Sequence, residues 1–176
     1  MTTEHIPAKD MFKVLNEPVT ELVNILTSQT AMALNTFPYA GSWSAAQVVE
    51  HITRSTFSIA KALNMEAVET DRDPEEKVPK LKKMFLDFSV KYKSPEFILP
   101  TQEVYDKETL VNKLKAAFEQ LQERSNVVDL FGMISHPAFG NVTKLELLYF
   151  VLYHTMRHLQ QVRNIVYIVN NKPLKT

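Results

Sequence analysis

The sequence predicts an all-α protein: an antiparallel four-helix bundle with an irregular insertion between its second and third long helices. Three observations predict it. The 176-residue chain has only three glycines, apolar residues recur at three- and four-residue spacing over long stretches, and two Ser/Thr-x-x-Gln/Glu patterns stand where helices would begin. At 20.2 kDa the chain is long enough for one full core and short for two, so residues 1–176 are read as a single domain.

The first helix is expected from Ala8 to Thr36. Pro18 either kinks it or opens its main part at a favoured first-turn position, and Pro38 ends it. Ser44 caps the second helix, with Gln47 three residues on completing a capping box, and that helix runs to about Met65. An acidic, proline-interrupted stretch, ETDRDPEEKVPK, leads into a shorter helix from Lys80 to Tyr92. The loop KSPEFILP follows, with Pro95 and Pro100. The third long helix spans Asp106 to Val128, and a loop containing HPAFGN separates it from the fourth. Thr143 opens that last helix, Glu146 supplies the second capping box, and the pattern continues to Asn170. No repeats or low-complexity tracts interrupt this order.

Composition narrows the function. Twenty basic residues balance twenty acidic ones and the pI is near 7.0, which argues against a nucleic-acid partner. The one basic cluster, Lys80-Leu81-Lys82-Lys83, reads as a solvated helix face. With no cysteine in the chain, disulfides, thiolate zinc sites and cysteine nucleophiles are excluded together, so any metal must rest on His, Asp or Glu. The N-terminal MTTEHIPAKD has no charged-then-apolar signal pattern and no apolar run is long enough to span a bilayer, so no membrane partner and a cytoplasmic location are expected.

The chemistry concentrates in the last helix, where HTMRHLQQVRN places His154 and His158 four residues apart. Such a pair lies on one side of a helix and can aim both imidazoles at a common point. Leu147, Phe150, Val151, Gln161 and Ile165 share that side, so the pair sits on a stripe destined for burial, where its nitrogens must be satisfied. Hydrogen bonds to buried groups would do so, and so would a metal; the pair alone leaves both open. A zincin is excluded because residue 155 is Thr where a general base would stand. A carboxylate di-iron bundle is excluded as well, since the residues three before His51, His154 and His158 are Val48, Val151 and Thr155. A third imidazole would come from His5, His51 or His136. His5 stands in the N-terminal end and reads as incidental. His51 lies two turns into the second helix, with Gln47, Ser55 and Ser58 on nearly the same side, where it would either join the pair or remain a core histidine bonded to Ser55.

The segment GSWSAAQVVEHITRS, with Trp43, Ser44 and His51, together with HPAFGNVTKLELLYFVLYHTMRHLQQ, resembles the DinB-like superfamily. That group of four-helix bundles includes metal-dependent hydrolases and thiol-dependent S-transferases. The resemblance implies a metal held by three histidines that map onto His51, His154 and His158; a divalent ion such as zinc or nickel would suit imidazole ligands. Relatives often carry an acidic residue where Gln47 stands, Trp where Leu147 stands and Pro where Ala45 stands. Gln47 would then orient an imidazole through its amide oxygen instead of a carboxylate. His136, in HPAFG, matches a recurring loop of the group and is assigned a structural role, with a substrate contact as the alternative.

Two reactions suit such a centre: hydrolysis by an activated water, or transfer of a small thiol cofactor to an electrophilic small-molecule substrate. Hydrolysis calls for a nearby base, and Glu50, adjacent to His51, points away along the helix. This favours thiol-dependent transfer; the resemblance extends to bacillithiol and mycothiol transferases and maleylpyruvate isomerases. A non-catalytic, stress-associated metal-binding bundle is the rival class. Finally, Leu148, Tyr149, Leu152, Tyr153, Met156, Leu159, Val166 and Tyr167 make the opposite face of the last helix apolar too, so it needs a second cover: the insertion, or the same face of a partner in a homodimer.

Overall fold

The computed structural model describes residues 6–171; His5 lies outside them. Six α-helices and one β-hairpin follow in order: α1 Met11–Ser28, α2 Ala31–Asn35, α3 Ala45–Ala62, α4 Val78–Leu86, α5 Lys107–Ser125, β1 Met133–His136, β2 Gly140–Thr143 and α6 Lys144–Asn170. The four long helices α1, α3, α5 and α6 form the expected bundle.

The bundle is not antiparallel throughout. Packing is closest between α3 and α5, α3 and α6, α1 and α6, and α1 and α5, which sets α1 diagonal to α3 and α5 diagonal to α6. The backbone of Ile6 bonds the Tyr149 hydroxyl, Glu21 pairs with Arg163, and Gln29 bonds Asn170, so α1 and α6 ascend together. Lys107, opening α5, reaches the carbonyls of Thr27 and Gln29 near the end of α1. Gln47, opening α3, reaches Gln102 just ahead of α5. Hence α3 and α5 also run side by side in one direction. Parallel neighbours require a long crossover, and the insertion between α3 and α5 is that crossover.

Both capping boxes form. Ser44 Oγ accepts the Gln47 N–H while Gln47 Oε1 accepts the Ser44 N–H, and Thr143 and Glu146 do the same at α6. Glu146 does more: fully buried, its carboxylate also takes both Arg72 Nη groups at 2.8 Å and the Lys77 N–H at 2.7 Å. One side chain thereby starts α6 and fastens the insertion to it.

Element limits differ from the periodicity where side chains compete for the backbone. The first helix stops at Ser28, not Thr36, because Thr30 accepts the Ala33 N–H and starts a separate turn, while Thr27 and Ser28 bond back to carbonyls of α1. Pro18 lies inside a continuous α1 and is buried. The helix expected to reach Tyr92 ends at Leu86: Asp87 turns onto the Ser89 N–H and hydroxyl, and Arg157 takes the carbonyls of Phe85, Asp87 and Val90. HPAFGN, expected as a plain loop, closes a β-hairpin through Gly140, whose φ of +64° suits glycine; Val68 adds a bridge to Met133.

The second cover for α6 is supplied within the chain. Leu148, Tyr149, Leu152, Tyr153 and Leu159 are buried, with α4 packed on α6 and Arg157 stacked on Tyr92 at 5.4 Å. Of the eight, Met156 and Tyr167 are exposed and Val166 is partly buried. The crossover thus covers much of the apolar outer face.

Candidate metal centre

The groove between α3 and α6 holds the titratable cluster, and the crossover roofs it. His51 projects from α3, His154 and His158 from successive turns of α6. One ring nitrogen from each lies within 4.8 Å of the others. His51 Nε2 and His154 Nε2 are 3.1 Å apart, and the ring centroids lie 5.0, 4.7 and 4.4 Å from one another. His51 and His154 are buried and His158 is partly exposed.

Hydrogen bonds fix two tautomers. His51 Nδ1–H donates to the Ile98 carbonyl at 2.9 Å, in a 3-10 turn, Glu96–Ile98, of the crossover. His158 Nδ1–H donates to Gln161 Oε1 at 2.8 Å. With Nδ1 protonated, a neutral imidazole presents a bare Nε2, so both rings turn lone pairs inward. A 3.1 Å separation between two nitrogens matches the roughly 3.3 Å spacing of ligands around a tetrahedral ion with bonds of about 2.0–2.1 Å.

Electrostatics favour the same state. Burial lowers the pKa of His51, opposed in part by the Ile98 carbonyl. His154 falls well below its ordinary value, first by burial and then by the neighbouring histidines and Arg157. His158 drops to about 3, chiefly by burial and next by His51, with the Gln161 bond opposing. All three are neutral donors at pH 7. The donor set therefore fits a borderline divalent ion such as zinc or nickel, and three protein ligands are compatible with open coordination positions.

The walls are aromatic. Trp43 stands 5.2 Å from His51, and Phe85 of α4 meets His154 at 5.8 Å and Phe150 at 5.1 Å, edge-on to both. Among the described residues no carboxylate joins the cluster.

Other expected residues fall differently. Gln161 stands beside His158, as its spacing requires. Gln47 does not orient an imidazole: its amide is engaged by the Ser44 cap and the Gln102 carbonyl. Ser55 and Ser58 make no hydrogen bond to a histidine among the described residues, because Ile98 has already taken the Nδ1–H of His51. His136 lies on β1, apart from the cluster. Its Nδ1 accepts the Ala138 N–H and its ring stacks on Phe139 at 5.0 Å, which packs on Phe150. Burial lowers its pKa.

Sequence reasoning missed Ile98, Phe85 and two arginines that grip the crossover, Arg157 and Arg54; Arg54 donates to the Phe97 carbonyl at 2.7 Å. A backbone carbonyl has no residue signature. The two prolines flanking the 3-10 turn, Pro95 and Pro100, were the available signal that its backbone is held.

A four-helix bundle with a long crossover roofing three clustered imidazoles defines a helical protein with a candidate metal site. The sequence profile of the DinB superfamily matches residues 19–162, and the chain belongs to that superfamily. It is 26% identical over 160 residues to the uncharacterized protein YuaE of Bacillus subtilis (strain 168), covering 86% of this chain and 94% of YuaE. Two solved structures share the fold. TT2238, a four-helix bundle protein, aligns with a TM-score of 0.61 at 19% identity over 90% of this chain and 99% of that one. YfiT from Bacillus subtilis, described as "a probable metal-dependent hydrolase with an unusual four-helix bundle topology", aligns with a TM-score of 0.57 at 16% identity over 94% and 90%.

Proposed function

We propose that the protein is a metal-dependent enzyme whose zinc or nickel ion is held by His51, His154 and His158, and that it transfers a low-molecular-weight thiol to an electrophilic small molecule. The observation that carries this reading is the composition of the cluster: three neutral imidazoles and, among the described residues, no carboxylate. A divalent metal held there supplies Lewis acidity, which makes a bound thiol or water nucleophilic near neutral pH. Hydrolysis would in addition call on a general base; Glu50, though buried beside His51, does not join the cluster. Ile98 and Gln161 hold the rings in their metal-binding tautomer, and Trp43, Phe85 and Phe150 keep water from one side of the groove. A reducing cytoplasm is the compartment this chemistry needs.

Hydrolysis is the second reading, supported by the fold shared with YfiT. Metal analysis after purification without a chelating column, on wild type and His158→Ala, tests the common premise. About one equivalent in the wild type and loss in the variant is expected; equal, negligible metal in both would sink it. Thiol consumption with a generic electrophile, set against ester cleavage, then separates transferase from hydrolase. Metal with neither activity points to the non-catalytic bundle.

A further inference from the structure

Between the end of α4 and the 3-10 turn the crossover has no helix or strand, and every residue from Asp87 to Lys93 is exposed. One side chain of α6, Arg157, ties this stretch to the bundle. Its Nη1 donates to the carbonyls of Phe85 at 3.2 Å and Asp87 at 2.8 Å, its Nη2 donates to that of Val90, and its guanidinium lies on the ring of Tyr92. Among the described residues, no other hydrogen bond joins residues 87–95 to the four long helices. Phe85 belongs to the last turn of α4, where carbonyls lack partners within the helix and a cation is favoured. With nine residues, α4 is too short to hold that turn by helix propensity alone. The turn matters to the centre: the ring of Phe85 lies edge-on to His154 at 5.8 Å and stands 6.3 Å from Tyr92, and His154 is 5% exposed.

We propose that residues 85–95 are a gate over the histidine cluster and that Arg157, a positioning residue, is its latch. Releasing Arg157 removes three hydrogen bonds and the Tyr92 contact together, so the last turn of α4 unwinds and Phe85 leaves His154. A stretch with exposed backbone bonds and few buried contacts opens at low cost. The far end stays fixed, because Arg54 and His51 hold the carbonyls of Phe97 and Ile98 and Ile98 is buried; the hinge is therefore at Pro95. The proposal rests on reading the cluster as the metal centre and adds how access to it is controlled.

Carbethoxylation of histidines by diethyl pyrocarbonate in the metal-free protein, resolved by peptide mass spectrometry, tests the gate. In the wild type His154 reacts slowly. In Arg157→Met it reacts at least tenfold faster, trypsin cleaves after Lys91 and Lys93 at least tenfold faster, and His136, on β1, reacts at its wild-type rate. His136 is the control, because a general loosening of the fold exposes both histidines. Tyr92→Ala, a change at an exposed ring, gives the same pattern more weakly. An unchanged His154 rate in Arg157→Met, or His136 rising in step with His154, overturns the latch; if Arg157→Met does not fold, either result in Tyr92→Ala overturns it. Negligible metal in the purified wild type sinks the metal reading while these rates still decide the gate. A full equivalent of metal with unchanged rates overturns the gate alone.

Discussion

His51 Nε2 and His154 Nε2 stand 3.1 Å apart although 103 residues separate them in the chain. Two imidazole nitrogens at that distance share either a proton or a metal ion. Under the proposed function the metal is the shared partner, so His154→Ala weakens zinc affinity at least a hundredfold in competition with a chromophoric chelator. Unchanged affinity would show that the pair is held together by a proton.

Gln161 and Gln47 separate orientation from capping. Gln161→Leu removes the acceptor for His158 Nδ1–H and weakens metal binding about 10–100-fold, the usual cost of losing such a partner. Gln47→Leu leaves metal affinity alone and costs about 1 kcal/mol of stability by opening the capping box, measured by urea titration. An effect of Gln47→Leu on metal affinity larger than that of Gln161→Leu would contradict this placement.

The histidines give the metal-free protein an acid-labile stability. Their pKa values are lowered on folding, so the unfolded chain binds protons that the folded chain refuses. The contribution is complete above about pH 6.5, the unfolded value, and is lost as pH falls from there towards about 3, the folded value of His158. Each such histidine steepens the fall by up to about 1.4 kcal/mol per pH unit. Urea midpoints between pH 7 and 4 fall less steeply in His158→Gln than in the wild type; parallel curves would refute the linkage.

Glu146 joins α6 to the crossover through Arg72. Glu146→Ala leaves a guanidinium that is only 17% exposed with the longer 3.7 Å contact to Glu76 alone and frees the Lys77 and Thr143 N–H groups, at a cost of about 3 kcal/mol. Arg72→Met is expected to be milder, since the capping box survives. Equal, small effects in both variants by urea denaturation would show the pair to be incidental.

The sequence predicted best where side-chain pattern and backbone agree. The starts of α3 and α6 were legible because Ser44-Gln47 and Thr143-Glu146 satisfy donors within one turn. His154 and His158 were legible as a pair because helical spacing alone puts them together; the helix face made His51 the candidate third imidazole, and the resemblance joined it to the pair. The crossover was not legible: its conformation depends on partners distant in sequence, Arg72 on Glu146, Arg157 on the carbonyls after Phe85, and Arg54 on Phe97. Helix direction escaped for a related reason. Apolar spacing marks the face that is buried and is blind to which way a neighbour runs, so the parallel setting of α1 beside α6 emerges only from pairs such as Glu21 with Arg163.

That parallel setting separates the two ends of the described chain. Ile6 lies by the first turns of α6 and Asn170 by the end of α1. In an up-and-down bundle of four helices the ends meet and can be joined by a short linker. Here a circular permutant needs a linker spanning at least the length of α1, about 27 Å for its 18 residues, and a reporter fused after α6 sits at the opposite end of the molecule from one fused before α1.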